Sequence, residues 1–181
     1  SENELHFPDG LLEKNWVTLP ANARKRIMEL AGDVLRFEKD SDKSKDNEYY
    51  PSDNHKFGII ACGIAYNYLM ENYPEGCPYP VLKVTRYPFP KSLALEMTQS
   101  CGTLLVMEEG QPLIEERLRG ILYDPKAEGS IIVHGRLDGT LPRTGELTPD
   151  CVREALGLPP MEAYSKSEVT VPRPPALCQG C

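Results

Sequence analysis

Cys178 and Cys181 frame a C-x-x-C at the end of the 181-residue sequence. Thiolates two residues apart can reach one metal ion, and Gly180 lets the backbone curl around it. Tetrahedral zinc and iron–sulfur sites take about four ligands, and the sequence supplies two here. The pair is therefore half of a site or a thiol-bearing tail, and nothing helical follows it to make a thioredoxin-like redox motif. By itself the chain is expected to hold no zinc or iron. Elemental analysis of protein purified without chelator checks this. About one equivalent of metal per chain, lost in Cys178→Ser, would contradict it.

The remaining chemistry-bearing candidates are weaker. Glu108 and Glu109 close an apolar run, where open α/β sheets place their ligands. One of them could be a buried acid or a ligand contact; the alternative is an acidic strand end that charges the N-terminus of the next helix favourably. Gly58 and Gly63 invite a dinucleotide-binding reading, but the spacing is not G-x-G-x-x-G, and the next apolar run ends in Arg86 where an acidic residue would be needed. His6, His55 and His134 show no partner at catalytic or metal spacing and read as surface or satisfied core residues. No nucleophile elbow, P-loop or zinc-protease motif occurs, and no Gly-Asp-Gly of the kind that anchors thiamine diphosphate through a divalent metal. Cys62, Cys77, Cys101 and Cys151 are scattered and read as reduced thiols, which makes the cytoplasm the expected compartment.

The elements that must position these residues alternate. Pro20 opens a helix, with Thr18 as a candidate cap, and Ala23, Ile27, Leu30, Val34 and Phe37 form an apolar stripe. Arg24, Lys25 and Arg26 lie around its other faces as a solvated surface. The run Lys39–Asp46 is polar throughout and reads as a loop or flexible linker. From Phe57 onward, apolar runs beginning near Phe57, Val81, Thr103 and Ile131 predict four strands. They are continuous rather than alternating, which calls for cover on both faces. Helices are expected between them, the first carrying Ile64, Tyr68 and Leu69, the second with Leu93 and Met97 on one face, and the third with a buried stripe of Ile114, Leu118 and Ile121. Pro112 suits a first helical position. Thr148 and Pro149 read as the cap and first turn of a short helix stopping at Gly157. Such alternation implies a three-layer α/β/α fold with a mostly parallel, Rossmann-like sheet. Three segments follow: an N-terminal linker and helix over 1–46, an α/β domain over 47–157, and an extended proline-rich tail over 158–181.

Charge and hydropathy exclude some classes. The formal net charge is -7 and the pI about 5.1, with one basic cluster at residues 24–26, so no nucleic-acid footprint is expected. No apolar run approaches the roughly 20 residues that span a bilayer, so no membrane association is expected. The acidic opening Ser1–Gly10 does not resemble a signal peptide.

Several segments carry a family likeness. Val171 to Cys181, Val-Pro-Arg-Pro-Pro-Ala-Leu-Cys-Gln-Gly-Cys, resembles the segment that opens the diphosphate-binding domain in the large (alpha) subunit of indolepyruvate:ferredoxin oxidoreductases. Leu19 to Arg24 resembles the family's entry into the preceding region. Phe57 to Tyr66 is similar to its first core strand and turn, Val106 to Glu115 to its acidic strand end, and Gly135 to Pro142 to the loop after its fourth strand. The likeness runs in order along nearly the whole chain, and the ending reads as a boundary just as another segment begins.

The resemblance implies a middle domain similar to the transketolase C-terminal domain, inactive alone and serving as scaffold and interface. It implies thiamine diphosphate, magnesium and iron–sulfur clusters for the whole enzyme and none of them in this fragment. It also implies a small beta subunit, ferredoxin and coenzyme A as partners, with Cys178 and Cys181 as possible iron–sulfur ligands in the full-length protein only. The strand order it suggests is Val81, Phe57, Thr103, Ile131, with a short antiparallel edge strand near Glu48–Tyr50 beside the Val81 strand. In that order Gly63 and Glu108 face one crevice. Two other readings stand beside it: a free-standing nucleotide- or ligand-binding α/β module, and the C-terminal domain of another thiamine-dependent dehydrogenase.

Overall fold

Gly58–Cys62 is buried at every position, and Thr103–Met107 at all but its first. Strands this uniformly apolar are stable only with helices on both faces, and the computed structural model, which describes residues 19–123 and 130–161, shows that arrangement. The elements in chain order are α1 (Pro20–Asp42), β1 (Glu48–Tyr50), β2 (Gly58–Cys62), α2 (Ile64–Asn72), β3 (Val81–Val84), α3 (Lys91–Thr98), β4 (Thr103–Met107), α4 (Leu113–Leu122), β5 (Ile132–His134) and α5 (Pro149–Ala155). The five-stranded sheet runs β1-β3-β2-β4-β5. Central β2 is parallel to both neighbours, with Ile60 opposite Leu82 on one side and Val106 on the other. β5 adds parallel to β4, and β1 adds antiparallel to β3. This is the order and sense expected from the sequence, edge strand included.

Alternate residues of the strands feed two cores. On one face Ile60, Leu82 and Val106 pack with Ala94 and Met97 of α3 and with Ile114 and Leu118 of α4. On the other, Ile59, Ala61, Leu105 and Met107 pack with Ala65 and Leu69 of α2, Val152 of α5, and Leu141 and Leu147 of the loop after β5. In α2, Ala65 and Leu69 face inward, while Ile64 is 45% exposed. One detail differs from expectation. Pro112 is the N-cap of α4 rather than its first helical residue. Thr148 caps α5 as expected, its hydroxyl accepting from Cys151 N, and Gly157 takes a positive φ just beyond the helix. The thiols of Cys62, Cys77, Cys101 and Cys151 are free.

The largest correction concerns the polar run Lys39–Asp46. It is not a linker: α1 continues through Asp42, and the segment after it is bolted to the sheet. Ser41 is fully buried, and Asn47 nearly so. The Ser41 hydroxyl donates to Arg86 O and Pro88 O. Asn47 Nδ2 donates to Ser41 O, Ser41 Oγ and Arg86 O at 3.0–3.1 Å, while its Oδ1 accepts from Thr85 N and Arg86 N at 2.9 Å. Asp42 accepts from Ser92 N and Oγ at the start of α3, and Glu38 pairs with Arg117 at 2.6 Å. Polar side chains bury readily when every donor and acceptor is matched, as here. N-terminal to this junction α1 runs free. Ile27 is 67% exposed and Leu30 54%, so this part of its apolar stripe faces outward. Its N-cap is Leu19, which makes no side-chain capping bond; the Thr18 expectation lies outside the described residues.

Candidate functional site

The chain leaves β2 to form β3 on one side and returns past it to form β4 on the other. A crevice opens where these connections diverge, at the carboxyl ends of the strands. It holds about 230 Å³ and is lined by Cys62, Gly63, Val84, Tyr87, Glu108 and Glu109, among others. Gly63 and Glu108 thus share one crevice, as expected. Gly63 makes the turn from β2 into α2 at φ 55, a conformation in which a side chain would be strained, and it leaves the start of α2 without a side-chain cap.

The acids here are already engaged. Glu108 is 4% exposed, and its two oxygens accept from Ile114 N and Glu115 N, both at 2.9 Å. It closes β4 and caps α4, the structural alternative weighed above. Burial pushes its pKa up, the two backbone N–H groups and Arg136 pull it down, and the balance is upward. Glu109 accepts from Leu147 N at 3.1 Å and pins the loop that enters α5. Burial also pushes the Cys62 thiol up, with Glu108 adding to it, so Cys62 is a packed thiol rather than an activated nucleophile. The Tyr87 phenol is pushed up to about 12, first by desolvation and then by Cys62 and Glu108. At the end of β3, Thr85 and Arg86 give their N–H groups to Asn47.

Beneath the crevice lies a polar centre that the residue patterns did not reveal. Arg136 is 1% exposed. Its Nε donates to Glu108 O at 2.8 Å, and its terminal nitrogens donate to Pro142 O at 2.6 Å and Gly145 O at 3.3 Å, clamping the loop after β5 to the end of β4. Fully buried Glu115 is its counterpart. Oε2 accepts from Arg136 N and Leu137 N at 2.8 and 3.1 Å, while Oε1 accepts from Arg119 Nη2 at 2.8 Å. Arg119 reaches on to Val133 O, so one carboxylate joins α4, β5 and the following loop. Gly135 is obligatory at this spot, since a Cβ there would lie 2.7 Å from the Glu115 carboxyl carbon. The only signal in the sequence was the position of two charges, one two residues past a strand and one in the first turn of a helix.

His134 also needs correction. It has a partner, Asp138, whose Oδ2 lies 2.6 Å from Nδ1. The spacing is i,i+4 but through a turn. Burial works against the Asp138 charge. Hydrogen bonds from Gly135 N, His134 and Thr140 N outweigh it and hold the carboxyl well below the usual carboxylate range. A depressed folded pKa gives stability that is present above the unfolded value near 4 and is lost as pH falls through the folded one. Asp138→Asn should therefore cost about 1–2 kcal/mol at neutral pH, and its deficit against the unmodified chain should shrink as pH drops below about 4. Denaturant midpoints at several pH values check this; a deficit constant with pH would refute it. His55 is exposed, and His6, Cys178 and Cys181 lie outside the described residues.

Among the described residues no group of three or more His, Cys, Asp or Glu side chains could hold a metal ion, and no helix is long and apolar enough to cross a membrane.

Fold and crevice together define a three-layer α/β domain whose switch-point residues are committed to holding its own loops. No protein-family model matches the chain, and no solved structure matches it. Relatives are found among curated sequences. The chain is 36% identical over 184 residues to the indolepyruvate oxidoreductase subunit IorA of Methanothermobacter marburgensis, a match covering 95% of this chain and 29% of the relative. It is 31% identical to the subunit IorA of Archaeoglobus fulgidus, over 91% of the chain and 27% of the relative, and 30% identical to that of Pyrococcus abyssi, over 95% and 29%. The chain is similar to indolepyruvate oxidoreductase subunits IorA along nearly its whole length, the likeness that the sequence segments carried, and spans less than a third of the length of these relatives.

Proposed function

We propose that the chain is an internal scaffold and interface segment of a thiamine-diphosphate-dependent 2-oxoacid:ferredoxin oxidoreductase acting on indolepyruvate or related aryl pyruvates, and that it is inactive alone. The observation that carries this is the similarity to IorA subunits along nearly the entire chain. The engaged state of Glu108 and Glu109 supports it, since a crevice whose acids cap helices and pin loops has no free general acid or base. In this reading residues 47–157 are the transketolase C-terminal-like unit, and 158–181 lead toward a diphosphate-binding domain. The whole cytoplasmic enzyme makes acyl-coenzyme A and reduced ferredoxin with a small beta subunit. Thiamine diphosphate, held with magnesium elsewhere in that enzyme, supplies the carbanion chemistry. Cys178 and Cys181 would join further cysteines around an iron–sulfur cluster only there.

The test pairs two samples. Calorimetric titration of this chain with thiamine diphosphate and magnesium should show no binding, and with indolepyruvate, coenzyme A and ferredoxin it should show no turnover. The full-length subunit assembled with its small partner should show both. Stoichiometric cofactor binding by the chain alone, or an inactive full assembly, would overturn the reading.

A further inference from the structure

A separate cavity of about 270 Å³ lies on the α5 side of the sheet, away from the crevice. Lys56 and Phe57 lead into β2 there, and Thr103 opens β4. Leu105 and His134 stand opposite each other on β4 and β5 and also line it. The lining divides in two. Phe57, Leu105 and the Ala155 methyl at the end of α5 make an apolar floor. Tyr79 fixes Phe57 in place, the rings stacked with centroids 4.1 Å apart. Lys56, Thr103 and His134 supply polar groups around that floor.

His134 is the oriented group among them. Asp138 Oδ2 lies 2.6 Å from its Nδ1, while Gly135 N and Thr140 N both donate to Oδ1 at 3.1 Å. Asp138 keeps its charge through the neutral range. A carboxylate accepts a proton bond and cannot donate one, so Nδ1 carries the hydrogen and Nε2 is the ring nitrogen left for a ligand. When the ring is protonated, Nε2–H becomes a donor and the His134–Asp138 pair is neutral. Lys56 then leaves the cavity with one surplus positive charge. The carbonyls at the end of α5 would oppose an anion, but they are occupied: Val152 O, Glu154 O and Arg153 O accept from the N–H groups of Leu156, Gly157 and Leu158.

We propose that this cavity binds a small organic carboxylate. Its oxygens take charge-assisted hydrogen bonds from His134 Nε2 and Lys56 Nζ, and its apolar body rests on Phe57 and Leu105. An apolar floor with a few convergent polar groups is the usual form of a small-molecule site, and the single surplus charge selects a monoanion. The inference stands apart from the oxidoreductase reading, since it uses none of the crevice residues.

Benzoate is the probe. It is titrated into the 15N-labelled 181-residue chain at pH about 6, where a free imidazole is largely protonated. The His134 ring signals should shift saturably, with a dissociation constant of about a millimolar. Benzyl alcohol has the same body without the charge, and inorganic phosphate has charge without the body; each should bind about tenfold more weakly. Lys56 is exposed and His134 partly so, so Lys56→Met and His134→Phe should melt close to the unmodified chain. Each should weaken benzoate about tenfold, the Lys56→Met effect being read on the His134 signals and the His134→Phe effect on the Leu105 amide. The absence of a saturable shift up to about 20 mM benzoate, well past a millimolar constant, would overturn the proposal. So would phosphate or benzyl alcohol binding as tightly as benzoate, or a benzoate affinity unchanged in both variants.

Discussion

Replacing Glu115 by alanine is expected to remove about 2–4 kcal/mol of stability, the cost of leaving two backbone N–H groups in the interior without their acceptor. That is a large part of the roughly 5–15 kcal/mol that holds a domain folded. The change strips the acceptor from the Arg136 and Leu137 backbone N–H groups and from the Arg119 guanidinium. Arg136 itself is 1% exposed, so water cannot easily take the place of the carboxylate. Glu115→Gln separates this cause from lost volume. The amide is nearly isosteric but has one acceptor oxygen where the carboxylate has two, so an NH₂ group must face either the backbone donors or Arg119. The glutamine variant should therefore lose almost as much as the alanine variant. Urea unfolding gives both values. A glutamine variant as stable as the unmodified chain would show that Glu115 acts by filling space.

Asn47→Ala should cost about 2–3 kcal/mol and release α1 at its base. The amide oxygen is the acceptor for Thr85 N and Arg86 N, and the amide nitrogen binds Ser41 and Arg86 O. Leaving such groups unmatched carries their desolvation penalty, moderated here because residues 85 and 86 are near solvent. Thermal unfolding should fall by roughly 5–10 °C. Trypsin should also cut faster at Lys43 and Lys45, which flank the junction. Asn47→Asp keeps the acceptor, loses the donors and sets a carboxylate against the Arg86 and Ser41 carbonyls, so it should rescue little. An unchanged melting temperature together with unchanged cleavage would mean the junction is held by packing alone.

The sheet was legible because its strands are buried on both faces. Ile59, Ile60, Leu104, Leu105 and Val106 leave no alternation to misread. Strand order came through the family likeness, since periodicity does not rank strands in space. Buried polar residues stayed hidden. Ser41 and Asn47 have the composition of a solvated linker, and only the carbonyls of Arg86 and Pro88, far along the chain, make them interior. Arg136 and Glu115 were hidden for the same reason: a buried charge and a surface charge are the same letter, and the partners lie 21 residues apart. Glu108 was visible as a strand end, but its two oxygens could be assigned to α4 only once the Glu108–Ile114 turn was seen. His134 and Asp138 stand four apart, a spacing usually read on helices, and here a turn closes it.

The outer border of the sheet beside β3 is only three residues long, Glu48–Tyr50. Pro51 follows at once and has no backbone N–H to offer, and the Glu48 carboxylate is tied at 2.6 Å to Lys83 on the neighbouring strand. Such a short, proline-ended and charged margin is a poor template for an added strand, which is how soluble proteins keep their sheets from stacking edge to edge into aggregates. On this side the sheet does not invite extension, so a companion that settles here must do so through side chains, helices or loops.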